Sequence, residues 1–89
     1  MVLDNWFIEF QEDIIREKIE SIQFWSKSIT FNLTLRDKIK DPKIVFFLNT
    51  LVEEERKYIK VLWESIEENR SRIHDARERQ NNLVIRDAS

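Results

Sequence analysis

The chain contains no glycine and one proline, Pro42, so it has almost no means of making the tight turns that a β-sheet needs. Its 89 residues are enough for one small domain. Hydrophobic residues make up 42% and charged residues 36%, and the two kinds are interspersed, which is typical of amphipathic helices. Cysteine is absent, which excludes disulfides and thiolate metal sites. The sequence therefore predicts an all-α protein.

The second half of the chain predicts one long helix that begins at Asp41-Pro42. Aspartate is a favoured N-cap residue, and proline suits the first helical turn because it has no N–H to leave unpaired. Beyond Pro42, apolar residues recur at alternating steps of three and four, which places them on one face of a helix. This stripe consists of Ile44, Leu48, Leu51, Tyr58, Leu62, Ile66 and Ile73. Glu55 occupies the position in this series where an apolar residue is expected, so a carboxylate is predicted on the buried face.

The first half predicts a shorter helix over about 4–33, because neither glycine nor proline interrupts it. Residues 34–41 carry turn formers and charges and are expected to form the loop, and the long helix is expected over about 42–80. Such a short loop makes the helices antiparallel neighbours, so residues 1–81 should form one helical hairpin. The helix is expected to break near 80–82, leaving 82–89 as a tail that is either frayed or docked on a partner chain.

Both helices carry apolar residues on more of their circumference than one partner helix can cover. On the second helix the additional apolar residues are Phe46, Phe47, Val52, Ile59, Val61 and Trp63. A monomer would therefore expose a larger apolar patch than monomeric proteins tolerate. Burying about five or six more large side chains, at about 1.5 to 3 kcal/mol each, favours association. We expect a homodimer that forms a four-helix bundle, or a larger homo-oligomer.

The net charge of −2 and the pI near 5.4 give no global field that would attract nucleic acid or an acidic membrane. No apolar run reaches the roughly 18 residues of a membrane span, and the N-terminus lacks the basic residues of a signal peptide, so we expect a cytoplasmic protein. One basic cluster near His74 could contact phosphates, but acidic residues interrupt it and no aromatic side chain accompanies it for stacking. The cluster consists of Arg70, Arg72, Arg77 and Arg79. Binding to nucleic acid is therefore not the favoured hypothesis.

Two segments of the chain resemble the rubrerythrin branch of the ferritin-like superfamily. In the first helix the segment Glu20-Ser21-Ile22-Gln23-Phe24-Trp25 is similar to the family's E-x-x-A-I-x-F-Y. The second segment follows the family's D-P loop and its F-x-x-L-A-x-E-E-x-x-H motif, and it contains Asp41-Pro42, Phe47, Leu51, Glu54 and Glu55. The resemblance covers about residues 14–66 and implies a four-helix bundle with a di-iron centre held by Glu and E-x-x-H ligands.

The chain departs from the family at the implied ligand positions. Glu55 matches the carboxylate of the E-x-x-H pair, but Tyr58 stands where the histidine should be. On the first helix Lys18 aligns with the ligand, or Glu17 if the register slips by one. An ammonium group cannot ligate a metal, and a phenol is a poorer ligand for iron than imidazole. We therefore expect Lys18 or Tyr58, or both, to satisfy Glu55 in a buried polar site that is a relic of a metal centre.

Two alternatives for Glu55 remain open from the sequence. It could lie in water at the edge of the bundle, or it could bind iron or manganese. The carboxylates available for such a metal site are Glu17, Glu20, Glu54 and Glu55.

The preferred hypothesis is a structural or protein-interaction module without a cofactor or a catalytic residue. The alternative is a di-iron oxidoreductase of the ferritin-like class. The third hypothesis is a small regulator that contacts nucleic acid through its C-terminal arginines.

Overall fold

The computed structural model describes the backbone of residues 2–88 and the side chains of residues 5–82. Over these residues the chain forms two helices and no strand, which confirms the prediction of an all-α protein. Helix α1 spans Val2–Lys38 and helix α2 spans Pro42–Ala88. The helices lie side by side and antiparallel, since Asn5 contacts Gln80 while Asn32 contacts Glu55. The helix pair measures 72 × 14 × 14 Å, so it is a narrow rod.

Helix α1 continues through residues 34–38, which we expected to belong to the loop. Its threonines fit into the helix because their hydroxyl groups donate to carbonyl oxygens one turn earlier. Thr34 Oγ1 donates to the Thr30 carbonyl at 2.9 Å, and Thr30 Oγ1 donates to the Ser26 carbonyl at 3.1 Å. Arg36 and Lys38 lie in the last turn, where positive charge is favourable. The loop therefore consists of residues 39–41 and not of 34–41.

Helix α2 begins at Pro42, as the Asp41-Pro42 pattern predicts. Asp41 Oδ1 accepts a hydrogen bond from the Lys43 backbone N–H at 2.9 Å, and the Asp41 carbonyl accepts one from Val45 at 3.0 Å. The helix break predicted at 80–82 is not found, because α2 continues to Ala88 for 47 residues, or about 70 Å. Polar residues alone do not end a helix when neither glycine nor proline follows. The expected fraying or docking of the tail concerns side chains outside the described residues.

Buried and half-buried side chains recur on both helices at alternating steps of three and four, the heptad pattern of a two-helix coiled coil. We call these positions the seam. On α1 the seam contains Ile8, Gln11, Ile15, Lys18, Ile22, Trp25, Ile29 and Asn32. On α2 it contains Val45, Leu48, Val52, Glu55, Ile59, Leu62, Ile66, Asn69, Ile73 and Ala76. The seam joins the helices into one unit with several polar residues in its interior.

Part of the apolar stripe predicted for α2 lies outside the seam. Ile44, Leu51 and Tyr58 are exposed, whereas Leu48 and Ile66 are buried. The reason is that α2 carries two apolar stripes one position apart, and periodicity alone cannot tell which of them faces α1. Over the described residues, neither helix has a stretch that is long and apolar enough to span a membrane.

Candidate functional site

Glu55 lies in the seam and is hydrogen-bonded by Asn32. The Glu55 side chain is 4% exposed, and its Oε1 accepts a hydrogen bond from Asn32 Nδ2 at 2.7 Å. A buried carboxylate costs several kcal/mol unless a hydrogen bond or a cation compensates it. Asn32 thus takes the role that we expected for Lys18 or Tyr58.

Lys18 belongs to a second polar layer. Its Nζ donates to Asn69 Oδ1 at 2.5 Å and to the Ser65 hydroxyl, and Asn69 Nδ2 donates to Gln11 Oε1 at 2.5 Å. Lys18 and Asn32 are fourteen residues apart on α1, or about 21 Å along the helix axis, so Lys18 cannot reach Glu55. Within the described residues, no buried side-chain nitrogen or oxygen lacks a hydrogen-bond partner.

Tyr58 contacts an aromatic ring instead of the Glu55 carboxylate. Its ring lies 5.3 Å from the Trp25 ring at an interplanar angle of 74°. The Trp25 ring also packs edge-on against Phe24, with centroids 5.3 Å apart and an angle of 82°. The three predicted site residues Lys18, Glu55 and Tyr58 therefore lie in three separate clusters, and the expected relic metal site is not assembled within the chain.

The carboxylates of the metal-binding alternative are also separated within one chain. Glu17 and Glu20 lie fifteen and twelve residues before Asn32, or about 22 and 18 Å along α1, whereas Glu55 is level with Asn32. Glu54 is exposed and pairs with a lysine one turn later at 3.4 Å. A single copy of the chain thus supplies one buried carboxylate at this level and not a cluster.

Among the side chains that the structure describes, one group of three metal-binding types lies close together on the surface. The ligand atoms of His74, Asp75 and Glu78 are within 4.8 Å of one another, and all three residues are exposed. The imidazole of His74 is 3.7 Å from the Asp75 carboxylate and 3.6 Å from that of Glu78. Exposed side chains one to four residues apart on a solvated helix come this close without a metal ion, so the group by itself defines no site.

The predicted basic cluster is divided between two sides of α2. Arg77 pairs with Glu12 of α1 at 3.1 Å, and Arg70 lies one heptad earlier on the same side. Arg72 and Arg79 each follow two residues later, which on a helix is about 200° away. The four arginines therefore do not form one phosphate-binding surface.

A second apolar stripe runs beside the seam on both helices. On each helix it is displaced from the seam by one residue and keeps the same steps of three and four, with Glu17, Ser21, Ser28 and Glu54 as polar interruptions. Because Trp25 contacts both Phe24 and Tyr58, the stripes of α1 and α2 lie on the same side of the helix pair. We call this surface the second apolar face. It consists of Phe7, Phe10, Ile14, Phe24, Phe31 and Leu35 on α1 and of Ile44, Phe47, Leu51, Tyr58 and Val61 on α2.

Most side chains of the second apolar face are exposed, and Phe7, Ile14 and Leu35 are half-buried. Phe24, Phe31 and Phe47 are 65%, 67% and 63% exposed, and Phe10 and Tyr58 are about half exposed. Since an aromatic side chain has about 150–250 Å² of surface, these aromatic rings together present about 600 Å² of apolar area. The aliphatic residues of the face add to this area.

The other sides of the helix pair are mainly polar. Glu12 and Arg77 bridge the two helices on the side opposite the second apolar face. Trp6, Phe46 and Trp63 are exposed outside that face; Trp6 stacks on Phe10 at its border, and the other two do not belong to an apolar stripe. Isolated exposed apolar residues are common on protein surfaces. The apolar surface is therefore concentrated on one side.

Asn32, which pairs with Glu55, and Asn69, which pairs with Lys18 and Gln11, were not predicted from the sequence. The signal that could have identified them is heptad spacing, because Gln11, Lys18 and Asn32 are separated by multiples of seven residues. Glu55 and Asn69 on α2 are likewise fourteen residues apart. Polar residues that share a seam position in both helices of an antiparallel pair are expected to meet.

No protein-family model, curated protein or solved structure matches the chain significantly. The resemblance to the rubrerythrin branch stays a prediction based on two sequence segments.

Proposed function

We propose that this chain is a structural or protein-interaction module, a helical hairpin that associates through its second apolar face into a four-helix bundle. The observation that supports the proposal is the concentration of exposed large apolar side chains on one side of the helix pair. Monomeric proteins rarely expose contiguous apolar patches larger than a few hundred Å². The exposed aromatic rings alone present about 600 Å² in each copy, so two copies would bury about 1,200 Å², the lower end of stable interfaces.

The proposed module has no di-iron centre of the ferritin-like type. Lys18 and Tyr58 occupy the ligand positions that the resemblance implies, and an amide from Asn32 occupies the space beside Glu55. The proposal therefore allows a common ancestry of the hairpin with ferritin-like proteins, but it does not include the metal chemistry of that family. Among side chains 5–82, no specific contact favours the oxidoreductase or the nucleic-acid alternative.

Light scattering after size-exclusion chromatography tests this function. At micromolar concentration we expect the wild-type mass to be about 22 kDa, twice the 10.9 kDa of one chain. Phe31→Glu and Val61→Glu each place a charge on the second apolar face and should give the monomer mass, because a buried unpaired charge opposes association.

The matched control is Phe46→Glu, since Phe46 is 72% exposed and lies off the second apolar face. This variant should keep the wild-type mass, and circular dichroism should show that all variants remain helical. A monomeric wild type would contradict the proposal, as would dissociation of the control to the same extent as Phe31→Glu.

A further inference from the structure

We infer that the second apolar face binds a second copy of the chain with both loops at the same end of the bundle, so that α1 of each copy lies beside α2 of the other. This inference rests on the proposed function and adds the orientation of the two copies. Residues of α1 and α2 that lie at the same distance from the loop, which we call level, would then meet across the interface.

The second apolar face differs between its two ends. Near the loop, both helices contribute apolar residues to it, including Phe31 on α1 and Leu51 on α2. Far from the loop, α1 contributes Phe7, Phe10 and Ile14, but α2 is polar. The residues of α2 at the corresponding heptad positions there are Ser65, Glu68, Arg72, Asp75 and Arg79.

Two such faces can pack with a two-fold axis in either of two directions. If the axis runs along the rod, the loops lie at one end and the apolar half of each copy packs on the apolar half of the other. If the axis runs across the rod, the loops lie at opposite ends. In that case the apolar first half of α2 packs against the polar second half of the same helix in the other copy.

Contacts within the chain show which residues are level. The numbers of residues that contact each other across the seam add up to 80 for Gln11 with Asn69, 83 for Trp25 with Tyr58 and 87 for Asn32 with Glu55, so level residues add up to about 85. By this rule Leu35 is level with Leu51. With the axis along the rod, Leu35 of one copy therefore lies at the level of Leu51 of the other, and apolar area is buried against apolar area.

The arrangement with opposite loops makes poorer contacts. A two-fold axis across the rod at the level of Ser65 would place Leu51 and Tyr58 against Arg79 and Arg72 of the other copy. These arginines would lose hydration against apolar side chains, which is costly, and Glu54, the carboxylate between Leu51 and Tyr58, already pairs with a lysine of its own helix. With the loops together, the same arginines lie beside Phe7 and Ile14, where their stems can cover apolar surface while the guanidinium groups reach water.

Distance measurements between spin labels test the orientation, and the absence of cysteine allows a single labelled position. Lys40→Cys places a label in the exposed loop, and Glu20→Cys places one on the exposed outer side of α1 near its middle. With the loops together, we expect distances of about 20–40 Å for both variants, because neighbouring helices in a bundle lie about 8–10 Å apart.

Each other outcome contradicts a defined part of the proposal. If the loops lie at opposite ends, each Lys40→Cys label is about nineteen residues from the level of the two-fold axis. At 1.5 Å per residue, the two labels would then be about 55 Å or more apart. The Glu20→Cys labels would stay close to each other. That result would overturn the orientation and leave self-association standing. No dipolar distance in either variant, together with a monomer mass, would overturn both the orientation and the proposed function.

Discussion

Asn32 is the residue on which the buried Glu55 carboxylate depends. Replacing it by alanine leaves the charge buried beside a small cavity, so we expect Asn32→Ala to lower the free energy of unfolding by about 2–4 kcal/mol. Urea denaturation followed by circular dichroism, at one fixed chain concentration, measures this change.

Two further variants separate the hydrogen bond from the packing. Glu55→Gln keeps an acceptor for the Asn32 amide and should cost less than Asn32→Ala. Replacing both residues by leucine removes the polar pair and should be close to neutral or stabilising. If Asn32→Ala were as stable as the wild type, the carboxylate would not depend on this bond.

The sequence predicted one member of this pair and not the other. Glu55 interrupts a regular apolar series, and such an interruption is visible in the sequence. Asn32 interrupts the seam of α1 less visibly, because the adjacent Phe31 and Leu33 continue neighbouring apolar stripes. Identifying the partner required the register of the two helices, which depends on the length of the loop. Within one chain Glu55 pairs with Asn32, whereas the sequence pointed to Lys18 or Tyr58 for that reason.

At the scale of the helices, Asp41 fixes the start of α2 and thereby the loop of residues 39–41. Asp41→Ala removes the side-chain acceptor for the Lys43 N–H, and we expect a loss of about 1 kcal/mol in the free energy of unfolding. Asp41→Asn keeps an acceptor and should retain most of the stability. The control is Asp37→Ala, because Asp37 is exposed and pairs only with the neighbouring Arg36.

Denaturation curves of these three variants measure the effect of the cap. If Asp41→Ala and Asp41→Asn lowered the free energy of unfolding equally, the hydrogen bond from the Lys43 N–H would not be the source of the stabilisation by Asp41. If Asp37→Ala lowered the free energy of unfolding as much as Asp41→Ala, removal of a negative charge would explain both effects without a helix cap.

Helix starts were more predictable than helix ends in this chain. A cap residue and a proline give α2 a local start signal, whereas the ends of α1 and α2 lack glycine. Without a local signal, the helix continues as long as its backbone hydrogen bonds are made. The face of α2 that packs on α1 was only partly predictable, because its two apolar stripes have the same period and differ by one residue.

At the scale of the whole molecule, α1 covers only one of the two stripes of α2, and the proposed dimer predicts how stability depends on concentration. The seam is buried within one chain, whereas in the proposed dimer the second apolar face would be buried by another copy. Unfolding of a dimer into separate chains is favoured by dilution. For an assembly of this size we expect the Tm to rise by about 4 °C for each tenfold increase in chain concentration.

Thermal unfolding from low to high micromolar concentration measures this slope. Phe31→Glu should unfold at a lower temperature that does not change with concentration, because its helix pair has no partner to lose. Phe46→Glu should keep the wild-type slope, since its charge lies off the second apolar face. A wild-type Tm independent of concentration would mean that the seam alone sustains the fold. The exposed aromatic rings would then need a binding partner other than this chain.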